Sequence, residues 1–202
     1  DFSGSAAYYD LSNDQQFEIA VAGYVNDSGS AFDQGIDSNA PIDGDRNILL
    51  TTNSSGLPVV SEDWFIPELS LEPYSFSLLW LPFDDNPYWD LLAINDFGML
   101  NLPHNLFWND GQSLSFATDS QGLAVPMFGM GVAPADLNDD GIPDLLITNI
   151  GNPSLLVSDS AGWVDLTTAW SVGLNSQQST CWGADWHDVN NGVYFGFRRL
   201  SI

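Results

Sequence analysis

Three segments of this chain align on one another without gaps, and this internal repeat restricts the fold more than any other sequence feature. The segment DLNDDGIPDLLITN (Asp136 to Asn149) lies over DLSNDQQFEIAVAG (Asp10 to Gly23), with carboxylates at the same positions. A third copy, PFDDNPYWDLLAIN (Pro82 to Asn95), keeps most of the acids but begins with proline. A period of about 50 residues is in the range of propeller blades.

The stretches downstream of these copies repeat as well. NILLTTNSSGLPVVSEDW (Asn47 to Trp64) matches PSLLVSDSAGWVDLTTAW (Pro153 to Trp170), and NLFWNDGQSLSFA (Asn105 to Ala117) is the copy between them. Each has two short apolar runs around Asn, Asp, Ser and Gly, which is typical of a hairpin. Each unit is therefore predicted to contain a strand, an acidic loop, a second strand, a connection of variable length and a hairpin.

The charge of the chain excludes several functions. It has 27 Asp and Glu against 3 Lys and Arg, which gives a formal net charge of -24. With so few basic residues there is no cationic stripe for phosphates, so nucleic acid is not an expected partner. The apolar runs are far shorter than the roughly 18 residues of a membrane-spanning helix, so no span is predicted. The single Cys181 excludes an internal disulfide and is expected to be buried.

The spacing of oxygen-bearing side chains in the third acidic loop indicates calcium. Oxygen ligands fall at positions 1, 3, 5 and 9, a main-chain carbonyl is available at position 7, and Gly141 at position 6 permits the sharp turn. An EF-hand is excluded because position 12 is Ile147 and the flanking segments are predicted strands rather than helices. The predicted ligands are Asp136, Asn138, Asp140, Ile142 through its carbonyl, and Asp144.

The other copies of the loop match this pattern less well. Gln15 replaces the turn glycine of the first copy, which costs backbone strain, and Pro82 removes the first ligand of the second. An acidic turn without metal is the alternative interpretation of every loop. The predicted ligands of the first loop are Asp10, Ser12, Asp14, Gln16 and Glu18. Weaker sites are predicted at Asp84, Asn86 and Asp90, and at Asp188 and Asn190 in the fourth copy.

These motifs resemble a known family. VAPADLNDDGIPDLLITN, the hairpin after it and WGADWHD are similar to the FG-GAP/VCBS repeats of integrin-α-type β-propellers, particularly the bacterial form associated with ASPIC/UnbV proteins. The resemblance implies four-stranded antiparallel blades around a central axis. It also implies calcium in the hairpin between the first two strands of a blade, and ligand binding on the opposite face.

The fold class predicted from the repeat and the resemblance is all-β. We expect a partial propeller in a single domain, with three four-stranded blades and the first strand of a fourth. The expected bounds are about 3–66, 74–120, 128–172 and 179–202. Such a partial ring leaves unpaired strand edges, through which the chain is predicted to self-associate.

One segment lies outside the repeat. The first unit carries an insertion from Tyr24 to Arg46, where the third unit needs only a few residues. Long insertions are usually binding or mobile loops. Because successive hairpins of a blade leave on alternate faces, this insertion is expected to lie opposite the acidic loops. A protein or glycan ligand is expected there, and a solvated excursion without a partner is the alternative.

The aromatic residues and histidines do not indicate a catalytic site. Tyr8, Trp80 and Trp186 share one repeat position, as do Trp64 and Trp170, so we expect them in the core between blades. No nucleophile triad, phosphate-binding glycine loop or Cys/His metal cluster is recognisable. The leading interpretation is an extracellular protein, at the cell surface or in the periplasm, that serves adhesion or ligand binding without catalysis. The alternative is an accessory or catalytic module of a carbohydrate-active enzyme.

Overall fold

The computed structural model describes residues 2–25, 44–61, 63–64, 66, 72–117, 121–172, 180–187 and 196–200. These residues form β-strands joined by turns and loops. The strands are β1 (Phe2–Tyr9), β2 (Glu18–Val25), β3 (Ile48–Thr52), β4 (Pro58–Val60), β5 (Tyr74–Leu81), β6 (Asp90–Asp96), β7 (Asn105–Asn109), β8 (Leu114–Phe116), β9 (Val132–Ala135), β10 (Asp144–Ile147), β11 (Ser154–Asp159), β12 (Gly162–Asp165), β13 (Gly183–His187) and β14 (Gly196–Leu200).

Three four-stranded antiparallel sheets account for most of these strands. Their strand orders are β1-β2-β3-β4, β5-β6-β7-β8 and β9-β10-β11-β12, so neighbours in sequence are neighbours in space. The hairpins β3-β4 and β7-β8 turn through Gly56 and Gly111, which have φ of 76° and 79°. The prediction of an all-β chain of propeller-type blades is confirmed.

A fourth, two-stranded sheet consists of β13 and β14. The sequence predicts only a first strand here, because the repeat pattern fades after Asp188. The structure adds a partner strand: β14 pairs antiparallel with β13 from Gly183 with Leu200 to His187 with Gly196. Backbone hydrogen bonds pair the strands whether or not the side chains follow the repeat, so sequence comparison missed this one.

The central sheet is apolar on both faces because it is covered on both. All seven residues of β6 are buried. Alternate side chains of a strand point to opposite faces, so an uninterrupted buried run requires a neighbour on each side. Toward the first sheet, Leu91, Ala93 and Phe107 pack with Ala20, Ala22 and Leu49. Toward the third sheet, Leu92, Ile94 and Leu106 pack with Leu145, Ile147 and Leu156.

The third sheet repeats this arrangement toward the fourth. Ala133, Leu146 and Leu155 form a buried cluster against which Ala184 and Trp186 of β13 pack. The first strands of neighbouring sheets also meet directly: the backbone N–H of Leu78 donates to Ser5 Oγ (2.9 Å). The hydroxyl of Ser77 donates to the carbonyl of Met130 (3.0 Å). The sheets are thus stacked face to face as consecutive blades.

One tryptophan contact recurs between blades. The indole N–H of Trp80 donates to the carbonyl of Ala7 (3.4 Å), and that of Trp186 donates to the carbonyl of Ala133 (3.1 Å). Ala7 and Ala133 occupy equivalent positions in the first strands of their blades, immediately before Tyr8 and Pro134. The expectation that these two tryptophans lie between blades is therefore confirmed.

Two other aromatic residues were expected in the same core, and that expectation is wrong. Tyr8 is 72% exposed and Trp170 is 52% exposed. Tyr8 lies on the face of the first sheet that no other described sheet covers. Trp170 lies in the turn after β12, where Leu166 and Val172 fill the contact with the fourth sheet instead. Trp64 packs against the core between the first and second sheets, as expected.

Buried polar side chains connect the sheets to their loops. The hydroxyl of Tyr24, at the end of β2, donates to Asp96 Oδ2 (2.9 Å) in the second sheet. Burial raises the pKa of Asp96, and hydrogen bonds from Phe97 N–H and Tyr24 oppose that rise. His104 is buried too: its Nδ1 accepts from the N–H of Asn95 (3.2 Å), and its Nε2 has no hydrogen-bond partner among the described residues.

Burial of His104 should make the fold sensitive to acid. Burial lowers its pKa from 6.5 to about 4, so between these values the unfolded chain takes up a proton that the folded chain does not. The stabilisation by neutral His104 is therefore complete above pH 6.5 and decreases as the pH falls toward 4. His104→Asn keeps an acceptor for Asn95 but cannot titrate.

We expect the difference in unfolding free energy between wild type and His104→Asn to shrink by about 3 kcal/mol from pH 7 to pH 4.5. Urea unfolding at the two pH values measures this difference. An equal loss of stability in both proteins would contradict the prediction.

Candidate functional site

The three acidic loops occupy equivalent places, each joining the first and second strands of a sheet. They connect β1 to β2, β5 to β6 and β9 to β10, and so lie on one side of the stacked blades. Their position-9 acids, Glu18, Asp90 and Asp144, are the first residues of β2, β6 and β10, and all three are buried. The sheet therefore fixes one end of each loop.

In the third loop, the position-1 carboxylate holds the turn together. Asp136 Oδ1 accepts from the N–H of Asp140 (3.1 Å), and Oδ2 accepts from the N–H of Gly141 (2.9 Å). Asp139 and Gly141 adopt φ of 58° and 85°, which bends the chain sharply around this carboxylate. A Cβ at Gly141 would have no atom within 4 Å, so glycine is favoured there by backbone conformation alone.

Oxygens of positions 5, 7 and 9 converge on the hydroxyl of Ser158 in β11. Ser158 Oγ lies 2.9 Å from Asp140 Oδ2, 3.4 Å from the carbonyl oxygen of Ile142 and 3.0 Å from Asp144 Oδ1. The position-3 amide adjoins them, since Asn138 Nδ2 donates to Asp140 Oδ2 (2.9 Å) and to the carbonyl of Ser158 (2.8 Å). The structure therefore brings the predicted residues of this loop together.

The arrangement is a set of oxygens rather than a cluster of acids. Within the described ranges, no three Asp, Glu, His or Cys side chains converge in the manner of a metal site. Asp136 is directed at the N–H groups of the turn, and positions 3 and 7 contribute an amide and a carbonyl. A set of carboxylate, amide and carbonyl oxygens fits a hard cation such as calcium, and does not fit zinc.

The first loop has the same backbone shape as the third. Asp10 Oδ1 and Oδ2 accept from the N–H groups of Asp14 (2.9 Å) and Gln15 (2.8 Å), as Asp136 does from its own turn. Gln15 adopts φ of 71° at the position of Gly141, so the predicted strain is present. Asp14 accepts from the backbone and side-chain N–H groups of Gln16 (2.8 and 3.3 Å), while Ser12 is exposed.

The second loop differs at both the first and the sixth position. Pro82 offers no side-chain ligand, and none of residues 82–90 has a positive φ. Positions 3 and 5 hold Asp84 and Asn86, the reverse of the third loop, yet the amide still reaches the third strand. Asn86 Nδ2 donates to Asp84 Oδ2 (2.9 Å) and to the carbonyl of Asn109 (3.0 Å), the counterpart of Ser158.

The position-9 carboxylates join their loops to the sheets. Asp144 accepts from the N–H groups of Leu137 (2.7 Å) and Ser158 (2.7 Å). Asp90 accepts in the same way from Phe83 (3.3 Å) and Asn109 (2.8 Å), and Glu18 accepts from Leu11 (3.0 Å). These acids therefore have a structural role in addition to any metal ligation.

Burial and hydrogen bonding shift the carboxylates in different directions. Burial raises the pKa of Asp90 to about 7, and raises the pKa of Glu18 as well. Asp140 behaves differently: burial would raise its pKa, but hydrogen bonds from Ile142, Ser158 and Asn138 outweigh burial and lower it. The third loop thus keeps its position-5 carboxylate ionised, as a cation site requires.

Ser158 and Asn109 are site residues that the sequence prediction missed. Both end the third strand of their repeat, and the alignment of the repeats places Thr52 at the same position. A polar residue closing an apolar strand at this position in three copies was the available signal. Asp188 and Asn190 of the fourth loop lie outside the described residues. Cys181 is buried, as expected, at 1% exposure.

A cavity of about 310 Å³ lies beside the second and third loops, between the second and third sheets. Its lining includes Phe83, Asp84, Trp108, Ile142, Ser158 and Asp159. Trp163 closes the inner wall, with its ring edge-on to Phe83 at a centroid distance of 5.2 Å and its N–H donating to the carbonyl of Pro143 (3.0 Å). The loops are thus anchored to the core between the two sheets.

A family match covers this part of the molecule. Residues 83–147 match the family model described as an FG-GAP-like repeat, from the second acidic loop through β6, β7, β8 and β9 to the end of β10. The chain carries FG-GAP-like repeat sequence. FG-GAP-like repeats are typical of extracellular ligand-binding modules. The match does not address the narrower ASPIC/UnbV association, which stays a prediction.

Two further findings bear on this FG-GAP-like chain. None of the curated proteins matches it. In the described part of the chain, no helix has the length and apolar character needed to cross a bilayer.

The two loops that share a backbone shape allow a reciprocal test at position 6. Gln15→Gly should raise the unfolding free energy by about 0.5–1 kcal/mol, because relief of the left-handed strain exceeds the entropy that glycine loses. Gly141→Gln should lower it by about 1 kcal/mol, because the open space around Gly141 leaves only the backbone cost. Chemical unfolding of both variants measures the shifts. Changes of the same sign would show that the loops do not share this turn.

Proposed function

We propose that this chain is a calcium-stabilised extracellular repeat protein, at the cell surface or in the periplasm, that serves adhesion or ligand binding without catalysis. The observation that carries the calcium part is the convergence of oxygens in the third loop. A hydroxyl has one proton, so Ser158 can donate to only one of the three oxygens within 3.4 Å of its Oγ. The remaining oxygens form an electronegative cluster that a cation would stabilise.

The proposed calcium ligands belong to one short stretch of chain. Calcium takes six to eight oxygens, and it would supply the positive charge that the ionised carboxylates lack. A bound ion would link the loop to β10 and, next to Ser158, to β11. The residues that would hold it are Asp136, Asn138, Asp140, Ile142 through its carbonyl, and Asp144.

The other loops are ranked by what they lack. The first loop retains its acids at positions 1, 5 and 9 but must accommodate Gln15 at φ of 71°. The second loop lacks the position-1 acid, and burial raises the pKa of Asp90 to about 7, so a proton competes with metal at neutral pH. We therefore propose a strong third site, a moderate first site and a weak second site.

Calcium should raise the melting midpoint of the wild-type chain relative to a chelator. A ligand that binds only the native state stabilises it by about 2.7 kcal/mol per site at 100 times its dissociation constant. Asp140→Asn, which keeps the size of the side chain, should remove more of this shift than the matched change Asp84→Asn in the second loop. Differential scanning calorimetry measures all three proteins. Equal midpoints with calcium and with chelator in the wild type would refute calcium stabilisation.

The ligand-binding part of the proposal rests on the insertion in the first blade. The acidic loop joins the Tyr9 end of β1 to β2, whereas the insertion leaves from the other end of β2 and returns to β3 at Ile48. This geometry favours a position opposite the acidic loops. Residues 26–43 lie outside the described residues, so the protein or glycan partner is proposed from the sequence and from the ends of the insertion.

Replacing residues 27–43 with a short Gly/Ser linker should abolish binding to the glycan or protein that a calcium-loaded array identifies. The calcium-dependent melting shift should persist, because the acidic loops lie at the other end of the strands. Retained affinity would place recognition elsewhere on the molecule. Turnover of glycosidic substrates by the wild type would contradict the non-catalytic part and favour the carbohydrate-active alternative.

A further inference from the structure

The first sheet has one apolar face that no other described sheet covers. The strand register places Tyr8, Ile19, Leu50 and Val60 in one row across the four strands, and Val21 and Ile48 in a parallel row on the same face. Phe17 packs edge-on against Tyr8 at a ring-centroid distance of 5.5 Å. We call these seven residues the open face.

The open face is exposed and carries no charge. Tyr8 is 72% exposed, Val60 61%, Phe17 58% and Ile48 37%. None of its seven residues is ionised at neutral pH, although the whole chain has a net charge of -24. A contiguous apolar patch of this kind is typical of an interaction surface in soluble proteins.

The equivalent faces of the next two sheets are buried by a neighbouring sheet. In the second sheet the corresponding row is Trp80, Leu91, Phe107 and Phe116, and the first three are 5%, 0% and 1% exposed. In the third sheet the row contains Leu145 and Leu156, both completely buried. The same strand positions are therefore buried wherever a second sheet is present, which identifies the open face as a sheet-packing surface.

We propose that the open face binds a second copy of this chain, in a symmetric dimer in which the two first sheets pack face to face. A two-fold axis through the face would place the same apolar rows opposite each other, with no pair of like charges in contact. Sheets packed in this way bury alternate side chains from both partners, as the three blade contacts within the chain already do. Tyr8 and Phe17 would supply the aromatic anchors.

Pairing through strand edges, which the sequence also suggests, is less favoured by the structure. The outer strands β4, β8 and β12 have only three, three and four residues, and β4 begins with Pro58. Short edge strands and edge prolines oppose the addition of another strand. The face offers a larger apolar surface than any of these outer edges.

Neighbouring residues of β4 provide a matched test of face against edge. Val60 lies on the open face and Val59 points to the opposite face, with 61% and 39% exposure. Val60→Asp should weaken the dimer dissociation constant by about tenfold or more, because it would bury an unpaired carboxylate. Val59→Asp adds the same charge to the same strand and should leave the constant unchanged. Sedimentation velocity over a wide range of protein concentration measures both.

Salt and a second variant complete the experiment. Sodium chloride should strengthen the dimer, because it screens the repulsion between two strongly negative chains. Tyr8→Ser should weaken the dimer without adding charge, and circular dichroism melting confirms that each variant is folded. The proposal is overturned by a wild type that stays monomeric, by equal effects of Val59→Asp and Val60→Asp, or by dissociation at high salt.

Discussion

Packing of one sheet against the next is the interaction on which the rest of this structure depends. β6 and β10 are buried along their whole length, and no antiparallel sheet can bury both faces by itself. Each blade therefore needs a blade on either side. The contact of Trp80 with Ala7 and that of Trp186 with Ala133 are the polar component of this packing, because each indole N–H finds an acceptor on the preceding first strand.

The acidic loops are attached to this stack by hydrogen bonds that do not require a metal. Asp144 and Asp90 each accept one backbone N–H from their own loop and another from the third strand of the same sheet. The carboxylate at position 9 thereby holds the loop over the strands before any ion binds. A cation would find its ligands already gathered around Ser158, which lowers the ordering entropy that binding would otherwise cost.

The repeat predicted the fold well because it reports on backbone pairing and core positions, which every blade shares. It predicted the loops by residue type, and the structure brings Asn138, Asp140 and Asp144 together around Ser158. It failed where neighbours decide the outcome. Tyr8 and Trp80 occupy the same repeat position, yet one is 72% exposed and the other 5%, because only Trp80 has a preceding sheet to pack against. Alignment within a chain shows which positions are equivalent and cannot show which copies have a partner.

Charge and packing occupy separate regions of this molecule, and that separation explains how so acidic a chain can still stack its sheets. The acids of the repeat lie in the loops or at the first residue of the second strand, where backbone N–H groups hold them. The rows that face other sheets are aliphatic and aromatic, so electrostatic repulsion acts between loops while apolar burial acts between sheets. Neutralising the loops would therefore strengthen the stack without changing a single contact within it. Covering the open face would bury apolar surface without changing the charge of the loops.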